Sequence, residues 1–150
     1  STFPHPFFIF SQQSFATLTA IHAERKMCKM NNEKRTRVMR SGFAALAWLL
    51  TACIAVQTLL AGAAVFVDPA YWRSHVVFVR ILEWLPVLLL ILAFPGRFAA
   101  AIKWRAAALF GLVILQYMTA NIPGIGLLHP VIALFMFMLA WRTAVAAMRP

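Results

Sequence analysis

The polar residues of this sequence with the most chemistry to offer are Gln57 and His75, followed by Gln116 and His129. Each glutamine lies inside a long apolar run. Each histidine opens the next run after a short turn, Asp68-Pro69-Ala70-Tyr71-Trp72-Arg73-Ser74 in the first case and Ile122-Pro123-Gly124-Ile125-Gly126 in the second. The same order, glutamine and then histidine, therefore occurs twice, which predicts two similar hairpins with both histidines at one depth. Imidazoles from facing helices can ligate a metal or a heme iron set between them. The plainer reading of a histidine near a helix end is an interfacial polar residue. For the glutamines it is hydrogen bonding between helices, worth about 1 kcal/mol each, against a role as donors to a cofactor or quinone.

A bis-histidine heme needs more than its axial pair. Arg73 with Trp72 at the outer edge is expected to meet the heme propionates, Phe, Leu and Val side chains to wall the ring, and Gly62 with neighbouring alanines to let the ring lie close. Arg80 and Glu83 stand three residues apart in the second run, about 60° apart around a helix. They are expected to form an intramembrane ion pair, to serve as a propionate site or to carry a proton path. Zinc usually takes four ligands, and only Asp68 is at hand to join the histidines. His5 and His22 carry no signal. No nucleophile-base-acid set, phosphate loop or dinucleotide fingerprint occurs, so nothing points to a hydrolase or kinase.

The elements that must position these residues follow from composition. Of 150 residues, 63% are hydrophobic and 12% charged, and the mean hydropathy is +0.80. Soluble domains lie nearer half apolar and a quarter charged. With about 20 apolar residues per span, the chain after Arg40 accommodates four spans, at about 41–67, 74–94, 103–121 and 128–148, with no soluble domain beside them. Ala45, Ala52, Ala55 and Gly62 are expected to form a small-residue face that lets a neighbouring helix approach. Pro86, inside the second run, should kink it, and Pro130 in the first turn of the last run costs little.

Residues 1–40 differ from the rest. Phe7, Phe8, Ile9, Phe10 and Phe15 are interrupted by Ser11, Gln12, Gln13 and Ser14, too short and polar a run to span. The basic residues follow the apolar ones, the reverse of a cleavable signal. The segment reads as a disordered or interfacial tail, or as an arm that docks on a partner. Position 1 is Ser, and Met27, Met30 and Met39 are alternative starts.

The formal net charge of +10 raises nucleic acid as a partner, but placement argues otherwise. Twelve of the fourteen Lys and Arg fall in the tail, in the middle connection (Arg97, Lys103, Arg105) or near the C-terminus (Arg142, Arg149). With four spans these segments share one face, and cytoplasmic loops are where Lys and Arg accumulate. The excess is a topology signal with both termini cytoplasmic. Cys28 and Cys53, one in the tail and one deep in the first span, read as free thiols.

The stretch Val56 to Phe66, followed by Trp72 and His75, resembles the Gln-x-x-Leu-Gly hairpin of heme A synthase. Leu115-Gln116 through Leu128-His129, with Ala133 and Ala140 beyond, is similar to that family's corresponding second hairpin. Residues of about 46–141 are covered, one bundle where heme A synthase has two. The resemblance implies a four-helix bundle whose second and fourth helices supply the heme ligands, here His75 and His129. Trp72 stands where that family carries the acid of its Glu-x-x-His motif, so what carries over is the ligand pair and not heme A synthesis. In length and layout the chain also resembles a set of small bacterial four-helix membrane proteins of unknown function.

The expectation is thus an all-α, integral membrane, up-down four-helix bundle in a bacterial inner membrane. It binds heme b between His75 and His129, for electron transfer or heme handling. The alternative is a cofactor-free accessory subunit that meets a larger membrane complex, or further copies of itself, through its aromatic arm and Ala/Gly faces. A small transporter built on Arg80 and Glu83 is the third reading.

Overall fold

The structure, a computed structural model, describes residues 6–149, with side chains described from Ala20 onward. The expectations placed on His5 and on the Phe7–Phe15 cluster fall outside those side chains. Among the described residues the chain is helical with no strand: α1 Pro6–Phe66, α2 Tyr71–Leu82, α3 Trp84–Ala93, α4 Ala100–Asn121, a 3₁₀ turn Gly126–Leu128 and α5 His129–Ala147. Four stretches, Ala20–Phe66, Tyr71–Ala93, Ala100–Asn121 and Gly126–Ala147, are long and apolar enough to cross a membrane. The chain divides into two compact units, Ser1–Thr36 and Arg37–Pro150.

In the first unit the segment read as a disordered or interfacial tail is helical from Pro6. Its side chains from Ala20 to Arg35 are all exposed. No proline or glycine interrupts the chain between Pro6 and Gly42, and Lys, Arg, Met, Glu and Ala are good helix formers.

In the second unit, local chemistry sets each helix end. Val67 N–H and Asp68 N–H both reach the Ala63 carbonyl, at 2.9 and 3.0 Å. The Asp68 carboxylate then accepts from the Ala70 N–H at 2.8 Å, an Asx turn that starts the reversal. The second apolar run is broken into α2 and α3 at Glu83. Pro86 has no N–H for the Leu82 carbonyl four residues back, and its ring crowds that carbonyl. The expected kink is therefore an interruption, and it falls three residues before the proline. After α3, Arg97 adopts φ 52° and Gly124 φ 86°. The glycine does this without penalty, the arginine at some cost.

The core is a set of large side chains interleaved with alanines. Phe43, Leu50, Leu89 and Leu109 are fully buried, as are Ala47, Ala93, Ala106, Ala140 and Ala144. Small residues at the contacts let helices approach closely. They are not the expected ones on α1, where Ala45 and Ala52 are exposed and Gly62 has nothing within 4 Å of where a Cβ would stand. The buried line runs instead through Phe43, Ala47, Leu50, Thr51 and Ile54, because its large side chains have the most surface to bury. Thr51 and Thr143 are buried, and their hydroxyls donate to the carbonyls of Ala47 and Leu139, four residues back, at 2.8 and 2.7 Å.

Contacts between helices fall into two groups. In one, Phe43 packs on Phe98 with ring centroids 4.5 Å apart, Trp48 meets Trp141 edge-on at 5.1 Å, and Arg40 donates to the Arg149 carbonyl at 3.1 Å. In the other, Gln57 meets His75, and Thr119 meets His129. The outward surface is apolar: Leu59 is 73% exposed, Ile81 67% and Trp104 75%.

Gly96 tests this packing. A Cβ there would stand 2.6 Å from a Phe98 ring carbon, and that ring is held between Phe43 and the Arg40 guanidinium. Gly96→Ala is expected to destabilise the protein by about 1–3 kcal/mol, as overpacking does. Thermal unfolding in detergent, followed by circular dichroism, measures it.

Candidate functional site

Gln57 lies three turns before the end of α1, His75 in the first turns of α2, Gln116 and Thr119 near the end of α4, and His129 at the start of α5. The folded chain brings all five together. The His75 and His129 rings lie with centroids 6.4 Å apart and planes inclined at 55°, both partly buried. Trp72 packs edge-on against His75 at 5.4 Å.

Each imidazole is fixed through its Nδ1. His75 Nδ1 lies 3.2 Å from the main-chain carbonyl of Gln57, and the Gln57 side chain donates back to the His75 carbonyl at 2.8 Å. A carbonyl oxygen can only accept, so His75 carries its proton on Nδ1. His129 Nδ1 lies 3.2 Å from the Thr119 hydroxyl, which donates its own hydrogen to the Gln116 carbonyl at 3.0 Å. When the hydroxyl gives its hydrogen to Gln116 it offers His129 only lone pairs, and His129 is then an Nδ1–H tautomer as well. In that arrangement both rings keep an unprotonated Nε2, as outer hydrogen bonds impose on histidines that ligate metals. Among the described residues no group of three His, Cys, Asp or Glu side chains converges, so the histidines form a pair and not part of a four-ligand cage.

The two rings line a cavity of about 870 Å³, within the size range of small-molecule and cofactor sites. Its polar wall includes Gln57, Gln116, Arg80 and Tyr117, and its apolar wall Ile54, Val79, Val113 and Phe137. The side-chain oxygens of Gln57 and Gln116 are buried without a hydrogen-bond partner, and Gln116 is only 8% exposed.

The remaining expected residues divide. Arg73 and Gly62 are not among the cavity-lining residues, and Ala55 is. The Glu83 carboxylate accepts from the Tyr117 hydroxyl of α4. Asp68 is spent on its turn. Cys28 and Cys53 are free thiols. Thr119 and Tyr117 were not anticipated. The spacing held a signal for Thr119, which stands three residues after Gln116 and so on the same helical face.

Residues 57–122 match a family described as "Family of unknown function (DUF6220)". The matched segment runs from Gln57 past Thr119, so it takes in His75, Arg80, Glu83 and Gln116 and stops short of His129. No curated protein and no solved structure matches the chain.

Proposed function

We propose that the protein crosses a bacterial inner membrane four times in alternating direction and holds one b-type heme between His75 and His129, for electron transfer or heme handling. The observation that carries this reading is the ring spacing. An imidazole nitrogen bonds a first-row metal at about 2.0–2.1 Å and lies about 1.1 Å from its own ring centroid, so two rings on opposite sides of one metal have centroids about 6.3 Å apart. The pair here is at 6.4 Å. Its Nδ1 atoms are already engaged, and a cavity lies beside it. The likeness to heme A synthase hairpins rests on short motifs and adds only direction.

Membrane embedding is supported by the apolar outer surface. Soluble monomers rarely carry contiguous exposed apolar patches beyond a few hundred Å², and here Leu59, Phe66, Ile81, Trp104, Leu134 and Phe135 are each more than half exposed. Alternating direction is supported by the two groups of contacts, residues 40–48 with 98 and 141–149, and residue 57 with 75 beside 119 with 129. In this topology both termini and most Lys and Arg face the cytoplasm.

A bound heme supplies one-electron chemistry at its iron. The chain's own residues do the rest. His75 and His129 would hold the iron, while the Gln57 carbonyl and the Thr119 hydroxyl, 3.2 Å from their Nδ1 atoms, would hold the rings in register. Ile54, Val79, Val113 and Phe137 exclude water, which strengthens every polar contact inside.

Purified protein supplied with heme should show a Soret band typical of two axial histidines, lost in His75→Ala and in His129→Ala. Wild-type protein that stays colourless and copurifies stoichiometrically with a larger assembly would overturn this reading in favour of an accessory subunit. Thr119→Val should weaken heme binding about 10- to 100-fold, as loss of an outer hydrogen bond to a ligand does, whereas Thr119→Ser should bind like wild type. Titration followed at the Soret maximum measures both.

Topology has its own test in the native, exposed Cys28. A membrane-impermeant maleimide should label it in inside-out vesicles and not in right-side-out ones. The reverse pattern would invert the orientation.

A further inference from the structure

We infer that Arg80 is the docking point for a carboxylate of the cavity's occupant, so that the site selects a tetrapyrrole with free acid side chains over one whose acids are blocked. The inference rests on the heme reading and deepens it.

Between Arg37 and Pro150 the only acidic side chains are Asp68 and Glu83. Asp68 is spent on the Ala70 N–H. The Glu83 carboxylate accepts from the Tyr117 hydroxyl across on α4. Arg80 lies within a stretch apolar enough to span a membrane, its side chain is exposed, and among the described residues neither acid bonds to it. A guanidinium at that depth is costly unless it is paired or faces a polar cavity, and Arg80 does line the cavity that holds both histidines. Its wall contains no other Lys or Arg.

The other polar groups of the wall are weaker partners for an anion than a guanidinium. The Tyr117 hydroxyl is committed to Glu83, and the Asn121 amide donates to the Tyr117 carbonyl at 2.8 Å. The Gln57 amide donates to the His75 carbonyl, and the Gln116 amide is a neutral donor, whereas hydrogen bonds between charged groups are roughly twice as strong. A guanidinium, by contrast, presents a planar fork of donors that matches a carboxylate in two parallel hydrogen bonds. Arg80 is five residues along α2 from His75, about 7.5 Å along the axis at 1.5 Å per residue. A metal held by His75 and the edge of its macrocycle held by Arg80 are then separate anchor points on one helix. Arg73, the arginine expected from sequence to fill this role, is not among the lining residues.

The experiment uses the full chain purified without heme in an uncharged detergent, titrated with ferric protoporphyrin IX and with its dimethyl ester. Affinity and the two-histidine Soret spectrum are read for each. Wild type is expected to bind the diacid about 10- to 100-fold more tightly than the diester, the worth of a hydrogen bond between charged groups. Arg80→Gln should bind both porphyrins as wild type binds the diester, and that shared value also reports an intact fold. Arg80→Lys should keep part of the preference. Equal binding of the two porphyrins by wild type, or a preference that survives in Arg80→Gln, overturns the inference while leaving the axial pair standing. Failure of both porphyrins to give the two-histidine spectrum in wild type overturns the heme reading and this inference together. A lipid phosphate offers Arg80 similar chemistry, so the titration is repeated with phosphatidylglycerol added. A preference that persists supports the carboxylate assignment, and one that vanishes gives Arg80 to the lipid and overturns it.

Discussion

Gln57 and His75 bond to each other twice, side chain to main chain in both directions, at 2.8 and 3.2 Å. In an apolar setting a polar side chain must find a partner, and a single interhelical hydrogen bond contributes roughly 1 kcal/mol. The reciprocal pair does more than add two of these. It fixes the rotation of α1 against α2, and it fixes the proton on the imidazole nitrogen that faces α1. The second hairpin reaches the same end less directly, through the Thr119 hydroxyl that stands between His129 and the Gln116 carbonyl. Two imidazoles held close together, with centroids 6.4 Å apart, follow from two different local solutions.

The cavity beside them exists because the rest of the polar inventory is settled elsewhere. Thr51, Thr58 and Thr143 return their hydroxyls to their own helices, Asp68 closes a turn and Glu83 reaches α4. What stays uncommitted is concentrated in one place: two imidazole Nε2 atoms, two glutamine oxygens and one guanidinium. These groups line one half-open cavity of about 870 Å³.

Much of the helical layout was legible in the sequence. Apolar runs of membrane-spanning length, each ended by Pro69, Pro95 or Pro123, leave little choice of element, and the structure brings the His75 and His129 rings within 6.4 Å of each other. Other features were not legible, for reasons that can be named. Hydropathy marks where α1 is apolar and says nothing of where its helix starts, which is set by helix propensity and the lack of proline and glycine back to Pro6. In an alanine-rich helix several faces carry small residues, and only the bulk of Phe43, Leu50 and Ile54 decides which turns inward. Arg80 and Glu83 have the spacing of a pair, but spacing along one helix says nothing of the Tyr117 hydroxyl that Glu83 meets on another. Thr119 and Tyr117 look like the other hydroxyls of apolar helices until a partner on another element is seen.

The interruption between α2 and α3 also divides the labour of the second apolar run. The Leu82 carbonyl, which has no N–H to meet at Pro86, parts the segment bearing His75 and Arg80 from the segment bearing the fully buried Leu89 and Ala93. One is seated by polar contacts at the cavity, the other by side-chain interlocking in the core.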